Sequence, residues 1–435
     1  MSGYIPYPSY MDSGVDWLGD IPKHWSIVQI KRVSTLNPPK SSLPKERDTT
    51  CTFLPMEKLR TDNLTLDETR KIADVYDGYT YFSDGDVLIA KVTPCFENDN
   101  VAVANDLING IGFGSTEINV LRTNERSFNR YLFYRLQEDQ FKKIATSEMR
   151  GTGGLKRVPT ELFESFKIAI PEIEEQYNIV AALDRETAQI DSLIQKKSHF
   201  IDLLKEKRQA LITHLVTKGL NTDVPMKDSE VEWIGQTPEH WNVVPSTWLF
   251  TESKERAHED DQHLSATQKY GVIPLAEYER LEERQVTHAE KNLDQRKHVE
   301  LDDFVISMRS FQGGIERVKA KGCVRSSYVA LKAGKNADVG YFSYLFKSSS
   351  YIQGLQATAS FIRDGQDLNF GNFRQVKLPH PSVDEQQQIA SYLDCETKRI
   401  DALLELTQRS IVLLKERRSA FITAAVTGQI DLRGE

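Results

Sequence analysis

The chain has 435 residues and a formal net charge of −8, with 39% hydrophobic and 27% charged residues. At roughly 100–200 residues per domain this length predicts several domains. It contains no apolar run of about 18 residues, so we expect no membrane span, and no signal peptide is expected from the N-terminus. The four cysteines are widely spaced without a Cys-x-x-Cys pair, which disfavours a disulfide framework or zinc ribbon and suits a reducing cytoplasm.

The first recognisable element is a short box that occurs twice. Residues 12–25 recur as residues 228–241, an offset of 216, with 8 of 14 positions identical. Both copies contain a tryptophan, a glycine two residues later, and a closing Pro-x-His-Trp. Such internal repetition indicates that the chain consists of two related halves.

A variable region follows each box, at 26–170 and at 242–380, and the two regions share only faint similarity. Short apolar runs at 86–90, 117–121, 303–307 and 328–331 predict buried strands. Aromatic and leucine residues at helical spacing in 128–141 and 339–353 predict core-packing helices. Each variable region is therefore predicted to be a mixed α/β domain.

Each variable region is followed by a conserved helical block. Residues 171–219 recur as 381–429 at an offset of 210, with 22 of 49 positions identical. Steps of four and three predict a heptad seam in each copy, with no Gly or Pro inside before Gly219 and Gly428. The first predicted seam comprises Ile179, Leu183, Glu186, Ile190, Leu193, Lys197, Phe200, Leu204, Lys207 and Leu211, and the second has the equivalent positions. A helix of about 45 residues is about 65 Å long and needs a partner, for which the other copy is the nearest candidate.

The negative net charge disfavours nucleic-acid binding, because the negatively charged phosphates of nucleic acids attract positively charged surfaces. Two segments are nevertheless basic. Residues 140–158 contain five basic residues against Glu148, and residues 305–332 contain six against Glu316. Local fields matter more for DNA docking than the total charge.

Several catalytic interpretations lack their required context. Asn37-Pro38-Pro39-Lys40 resembles the Asn-Pro-Pro-aromatic motif of adenine methyltransferases, but Lys40 replaces the aromatic residue and no glycine-rich cofactor loop follows a strand, so a strand-ending turn is favoured. No ATP-binding glycine loop or nuclease Pro-Asp motif is found. Residues 258–263, His-Glu-Asp-Asp-Gln-His, have no companion ligands at a recognised spacing, which favours a solvated acidic loop and no metal site. His24 and His240 recur beside a tryptophan, which favours a structural or docking role.

The order of elements resembles the specificity subunit of Type I restriction-modification systems across essentially the whole chain. The most specific marks are the two junctions with a proline, then Glu-Gln, then isoleucine: Pro171, Glu175-Gln176 and Ile179, and Pro381, Glu385-Gln386 and Ile389. The resemblance implies an α+β fold, with two α/β target-recognition domains separated by two long helices in an antiparallel coiled coil and related by an internal pseudo-twofold repeat. The predicted divisions are a box at 1–25, a domain at 26–170, a helix at 171–222, a box at 223–241, a domain at 242–380 and a helix at 381–435.

The resemblance also implies a function and partners. The chain would be a non-catalytic, cytoplasmic subunit that reads a split sequence in double-stranded DNA, with half-site spacing set by its helices. It would join two methyltransferase subunits and restriction motor subunits. S-adenosylmethionine, ATP and Mg²⁺ would be bound by those partners, and this chain would bind no cofactor.

Candidate DNA contacts are less specific, because the family has no residue-level motif in these divergent domains. In the major groove, arginine and lysine donate hydrogen bonds to guanine, and asparagine and glutamine form paired hydrogen bonds with adenine. Phosphate oxygens accept hydrogen bonds from basic and hydroxyl side chains. The candidates in the first domain are Lys91, Thr93, Arg150, Thr152, Lys156 and Arg157, and those in the second are Arg309, Gln312, Arg325, Arg363 and Asn369. For each of them, a flexible surface turn with solvated charges is the alternative.

Two other functions stay open. A non-catalytic coiled-coil scaffold that binds proteins through its variable domains would explain the negative charge, but not a basic cluster in each of two divergent domains. An RNA-binding module is disfavoured, because no aromatic stacking motif for single strands is found.

Overall fold

The structure is a computed structural model that describes residues 5–43, 47–152, 154–285, 295–307, 310–358 and 369–434. The chain divides into two compact units. Unit 1 comprises Met1–Ser198 and Arg409–Glu435, and unit 2 comprises His199–Gln408. Each long helix therefore contributes one part to each unit.

Unit 1 contains two four-stranded sheets, both within its variable region. The first sheet is antiparallel and has the order Val101–Val103, Val87–Ala90, Ile118–Thr123 and Ser34–Leu36. The second has the order Thr69–Lys71, Thr50–Leu54, Ile111–Gly114 and Thr80–Ser83, with its two central strands parallel. The strands predicted at 86–90 and 117–121 are thus confirmed as neighbours in one sheet.

Shorter elements complete unit 1. The two-stranded pairs are Tyr10–Asp12 with Asp20–Pro22, Ser26–Gln29 with Lys167–Ile170, and Leu59–Arg60 with Asn63–Leu64. The helices are Ile72–Val75, Asn129–Arg135, Asp139–Ser147 and Thr160–Ser165, with 3₁₀ turns at Ile30–Arg32, Lys40–Ser42, Met56–Lys58 and Ile108–Gly110. Asn37 ends the strand Ser34–Leu36 with φ of 45°, and its side chain accepts a hydrogen bond of 2.9 Å from the Val120 amide. The Asn-Pro-Pro segment is therefore a strand-ending turn.

Unit 2 has one antiparallel four-stranded sheet in the order Phe250–Ser253, Val329–Ala333, Phe304–Ile306 and Glu316–Arg317. Its two-stranded pairs are Met226–Asp228 with Gln236–Pro238, Asn242–Pro245 with Lys377–His380, Leu264–Thr267 with Gly271–Pro274, and Lys297–Val299 with Gly322–Val324. Its short helices are Leu275–Leu281, Ser310–Gly313, Val339–Leu345, Ser349–Ala357 and Phe370–Phe373, with a 3₁₀ turn at Ser246–Trp248.

The two repeated blocks form single long helices, Ile173–Lys218 and Val383–Val426. In unit 1 the start of the first helix and the end of the second bury Ile179 and Phe421 in one hydrophobic core. In unit 2 the end of the first helix and the start of the second bury Val216 and Leu393 in the other. The predicted antiparallel pairing of the long helices is therefore confirmed within each unit.

The same ion pair spans the two helices in each unit. Arg418 lies 3.0 Å from Asp191 in unit 1, and Arg208 lies 2.9 Å from Asp401 in unit 2. These residues are equivalent in the repeat, since each pair maps onto the other at the offset of 210. The duplicated sequence therefore forms duplicated contacts.

The predicted heptad seam of the first long helix is correct at some positions and wrong at others. Ile190 and Leu204 are buried as predicted, but Leu193 and Phe200 are 46% and 44% exposed. Ile201, next to Phe200, is buried in its place. Because apolar residues stand side by side at these positions, spacing alone does not decide which of the two faces the partner helix.

No helix among the described residues is long and apolar enough to span a membrane.

Candidate nucleic-acid interface

The basic candidates of unit 1 meet on one hairpin. The backbones of Arg150 and Arg157 exchange hydrogen bonds of 2.9 and 2.8 Å, which closes the hairpin 150–157. The Thr93 amide donates to the Lys156 carbonyl at 2.9 Å, and the Lys156 amide donates to the Thr93 hydroxyl at 3.2 Å. Val158 donates to the carbonyl of Lys91 at 2.8 Å. Residues distant in sequence therefore form one basic surface, which we call the basic hairpin.

Arg157 is held by a carboxylate on this surface. Its guanidinium contacts both oxygens of Glu117, with Nε at 2.8 Å from Oε2 and Nη2 at 2.6 Å from Oε1. The hydrogen bonds from Arg157 lower the pKa of Glu117, and partial desolvation opposes this effect. Arg157 is thus largely neutralised, whereas the exposed Arg150 and Lys156 have no ion pair with another described residue.

The tip of the hairpin depends on glycine for its conformation. Gly151 has φ of 141°, and a Cβ there would lie 2.4 Å from the Leu155 carbonyl oxygen. Only glycine fits such a close approach. Thr152 is exposed beside it, so this candidate lies at the solvent-facing end of the basic hairpin.

The candidates of unit 2 are dispersed. Gln312 is exposed in the short helix Ser310–Gly313, and Arg325 is exposed after the strand Gly322–Val324. The side-chain oxygen of Asn369 accepts a hydrogen bond of 2.7 Å from the Gly371 amide and caps the helix Phe370–Phe373. Arg309 and Arg363 lie outside the described residues.

Arg325 lies in a cleft with residues that the sequence did not single out. The cleft has a volume of about 510 Å³ and includes Lys269, Arg284, Tyr270, Tyr328 and Glu282. Glu282 lies 3.5 Å from the Lys269 ammonium and accepts a hydrogen bond of 2.9 Å from the Tyr270 hydroxyl, so it offsets part of the positive charge. The remaining cationic and aromatic side chains suit an anionic, planar ligand. Spacing gave no signal for this set, because its members come from separate loops and strand ends.

Ion pairs reduce the charge of both segments that the sequence marks as basic. In unit 2 Arg317, Lys321 and Lys332 lie within 3.1 Å of Asp302, Glu300 and Glu255. In unit 1 Lys142 lies 2.7 Å from Asp99. Counting charges along the sequence therefore overestimates the cationic surface, since the partners lie outside each counted segment.

The repeated glutamate of each junction, Glu175 or Glu385, contacts the box that precedes it in the chain. Glu175 accepts hydrogen bonds from the Tyr7 hydroxyl at 2.8 Å and the Trp25 indole at 3.0 Å, and it lies 2.8 Å from Nε2 of His24. In unit 2 Glu385 lies 3.1 Å from Nε2 of His240. The recurring histidines therefore both contact the junction glutamate of their own unit, and their structural or docking role stays a prediction.

The conserved glutamine beside it binds the variable region. Gln176 accepts from the Phe128 amide at 2.8 Å and donates to the carbonyls of Arg126 and Pro171 at 2.9 and 3.0 Å. Gln386 repeats the arrangement with the Asp338 amide at 2.7 Å and the carbonyls of Asn336 and Pro381 at 3.1 and 3.0 Å. The Glu-Gln pair thus connects three parts of each unit: box, variable region and helix. The sequence shows this motif but not its contacts.

Comparisons with known proteins all point to one group of proteins. Residues 22–200 match the family model described as Type I restriction modification DNA specificity domain. The chain is 31% identical over 229 residues to the type I restriction enzyme EcoAI specificity subunit of Escherichia coli, and 30% identical over 197 residues to the EcoEI specificity subunit. The first match covers 52% of this chain and the second 45%, but they span only 38% and 33% of those relatives.

Other similarities extend over nearly the whole chain. The putative type I restriction enzyme MjaX specificity subunit of Methanocaldococcus jannaschii is 22% identical over 431 residues, with 96% of both chains covered. A chain from a type I R-M system solved in a study of complex assembly has a TM-score of 0.70 and 17% identity, covering 94% of this chain and 99% of that one. The HsdS subunit from Thermoanaerobacter tengcongensis has a TM-score of 0.52 and 18% identity, over 94% and 98% of the two chains. Residues 22–200 thus match the type I specificity domain, and the whole chain, with its duplicated boxes, variable regions and paired long helices, is similar to the specificity subunits of type I restriction-modification systems.

Proposed function

We propose that this chain reads a bipartite sequence in duplex DNA and directs partner subunits to it. The observation that carries this proposal is that two units share one helical frame and the same Glu-Gln anchor, while their variable regions differ in sheet topology. A conserved frame with divergent attached domains suits two readers with different targets. In this proposal residues 26–170 and 242–380 are the two target-recognition domains.

The basic hairpin of unit 1 and the Arg325 cleft of unit 2 are the proposed DNA-facing surfaces. Arg150, Lys156 and Thr152 would contact phosphates or base edges, and Arg157 with Thr93 would hold the hairpin in place. Lys91 borders the same surface. In unit 2 Arg325 and Gln312 are the proposed contacts among the described residues.

The chemistry of the system would belong to other subunits. Methylation needs S-adenosylmethionine and cleavage needs ATP and Mg²⁺, and we infer that methyltransferase and restriction subunits bind these groups. A role on chromosomal or invading DNA implies the cytoplasm, which suits four unpaired cysteines.

Exposed leucines on the long helices are the proposed docking positions for two methyltransferase subunits, one for each unit. Unit 1 exposes Leu193 and Leu413, and unit 2 exposes the equivalent residues Leu403 and Leu203. Exposed apolar side chains in a repeated pattern favour a partner that binds twice.

Single-molecule sequencing of genomic methylation tests the function directly. In cells that keep the methyltransferase partner, deletion of this chain is expected to abolish one split methylation motif. Exchange of residues 26–170 for those of another family member should then change only one half of the motif. An unchanged methylome, together with no salt-dependent duplex binding by the purified complex, would favour the protein-scaffold alternative.

The basic hairpin gives a second test. The double variant Arg150→Ala/Lys156→Ala is expected to make the negative slope of log affinity against log salt concentration shallower by about 1.8, since each phosphate contact contributes about −0.9 to it. Duplex binding by the complex with its methyltransferase partner, titrated at several salt concentrations, measures this slope. Lys23→Ala/Lys167→Ala removes the same charge from exposed residues elsewhere in unit 1 and should leave the slope unchanged. Equal slopes for the two double variants would argue against the basic hairpin as a DNA contact.

A further inference from the structure

A cluster of metal-binding side chains lies in unit 2, apart from the residues assigned to DNA. Glu255, His258 and His298 each place one ligand atom within 4.8 Å of the other two. Nε2 of His258 already lies 3.3 Å from Oε1 of Glu255. Ligands around a tetrahedral ion at about 2.1 Å are separated by roughly 3.4 Å, so rotation of side chains, without movement of the backbone, would bring the three atoms to this spacing.

Local backbone pairing brings these residues together. His298 belongs to the strand Lys297–Val299, and its amide donates to the Glu255 carbonyl at 3.0 Å. The Ala257 amide donates to the Arg296 carbonyl, also at 3.0 Å. As a result the imidazoles of His258 and His298 stack with their centroids 4.1 Å apart and an angle of 17° between them. An imidazole nitrogen binds a metal ion in the plane of its ring, so one ring must turn out of this stack before both reach one ion, and His258 is the exposed ring of the two.

A buried carboxylate orients the inner histidine. Oδ2 of Asp261 lies 2.8 Å from Nδ1 of His298, and both side chains are only 1% exposed. The other oxygen, Oδ1, is buried without a hydrogen-bond partner among the described residues. Histidines that bind metals commonly donate their second ring nitrogen to a carboxylate, which fixes the tautomer and the ring orientation.

The remaining charged neighbours of the three residues are Lys332 and Glu300. Lys332 lies 3.0 Å from Oε2 of Glu255, so the charge partner of this carboxylate is on the side away from the Oε1 atom that faces His258. Oε1 of Glu300 lies 3.0 Å from Nε2 of His298, and this half-exposed side chain can rotate. It can therefore vacate the nitrogen or become a fourth ligand.

We propose that Glu255, His258 and His298 bind a divalent transition-metal ion of the Zn²⁺ class, with Asp261 as a positioning residue. Two imidazoles and a carboxylate favour zinc over calcium or magnesium, which prefer oxygen ligands alone. The ion would cross-link the loop 255–261 to the strand Lys297–Val299. The function is structural, because it ties the start of the second variable region to its interior.

Metal titration of the full-length, untagged chain tests this proposal. After removal of metal with a chelator and dialysis, titration with ZnCl₂ is expected to give one tight site per chain. Co²⁺ in its place should give the intense visible absorption of a four-coordinate ion. His258→Gln is the decisive variant because His258 is exposed and outside the hydrophobic core. It should weaken Zn²⁺ binding by more than about 100-fold, whereas Asp261→Asn should weaken it about 10- to 100-fold, as loss of a supporting hydrogen bond does.

The control is His199→Gln, which removes an exposed histidine from the first long helix. It should bind Zn²⁺ like the unsubstituted chain, and circular dichroism should show that each variant is folded. The proposal is overturned by absence of a one-to-one site, or by unchanged affinity in folded His258→Gln. Duplex binding is measured separately, so failure here leaves the DNA-reading function untouched.

Discussion

Arg135→Leu is expected to lower the free energy of unfolding of unit 1 by about 3–5 kcal/mol, because it leaves a buried carboxylate without its partner. Arg135 and Glu138 are 0% and 1% exposed in their side chains, and Nη1 lies 2.8 Å from Oε2. The same Nη1 donates to the Val426 carbonyl at 2.6 Å, near the end of the second long helix. Loss of Arg135 removes both interactions.

Unit 2 supplies the matched control for this prediction. The helix Val339–Leu345 is equivalent to Asn129–Arg135 at the offset of 210, and it has Leu345 and Ser348 where unit 1 has Arg135 and Glu138. The double variant Arg135→Leu/Glu138→Ser should therefore recover most of the stability, since a buried ion pair can be replaced by apolar packing at little cost. Hydrogen exchange of amides in Asn129–Arg135 measures the local free energy in the intact chain.

The defect of the single variant should also depend on pH. Burial raises the pKa of Glu138, and without Arg135 nothing opposes that rise. A carboxyl with a raised pKa binds more protons in the folded state than in the unfolded state, so folding is disfavoured as pH rises through that window. Arg135→Leu should thus be less harmful at acid pH, and equal harm at pH 5 and pH 8 would contradict the buried-charge explanation.

Glu175→Ala is expected to lower the free energy of unfolding of unit 1 by about 3 kcal/mol. The carboxylate contacts Tyr7, His24 and Trp25. Hydrogen bonds to charged groups contribute about 1.5–3 kcal/mol each, but the contributions of neighbouring bonds do not add. Truncation also leaves the buried Trp25 indole without this acceptor. We expect the first box to loosen from unit 1, which chemical denaturation and protection of the box amides would measure.

The equivalent change in unit 2 is the natural comparison. Glu385 contacts His240 but not Trp241, whose indole nitrogen is buried without a hydrogen-bond partner among the described residues. Glu385→Ala should therefore cost only about 1 kcal/mol, near the value of a single ordinary hydrogen bond. If Glu175→Ala and Glu385→Ala lower the free energy of unfolding equally, the difference in hydrogen bonding between the two boxes does not affect stability.

The repeated parts of the chain were the most predictable from sequence. Duplication showed the limits of both long helices to within a few residues, and their antiparallel pairing in each unit was expected. The seam was half correct, because Leu193 and Ile194, and Phe200 and Ile201, offer two apolar faces to a pattern that counts only spacing. Burial against a partner helix decides between them, and that information is not local.

The surfaces were less predictable for the same physical reason. The sequence predicts Arg157 as a phosphate ligand. In the structure its guanidinium is paired with Glu117, which lies forty residues earlier in the chain. The sequence predicts a solvated acidic loop at 258–263. In the structure His298, from the separate strand Lys297–Val299, packs against His258 of this loop. Charge pairing and ligand clusters depend on tertiary contacts, so composition within one segment does not reveal them.

The anchoring glutamines have an evolutionary consequence. The hydrogen bonds that the side chains of Gln176 and Gln386 form with the described parts of their variable regions go to main-chain groups: Phe128 and Arg126 in one, Asp338 and Asn336 in the other. A joint that recognises the backbone places little constraint on the side chains it holds. Mutation or recombination can therefore replace a whole variable region without a compensating change in the frame, provided that the incoming loop presents the same two peptide groups.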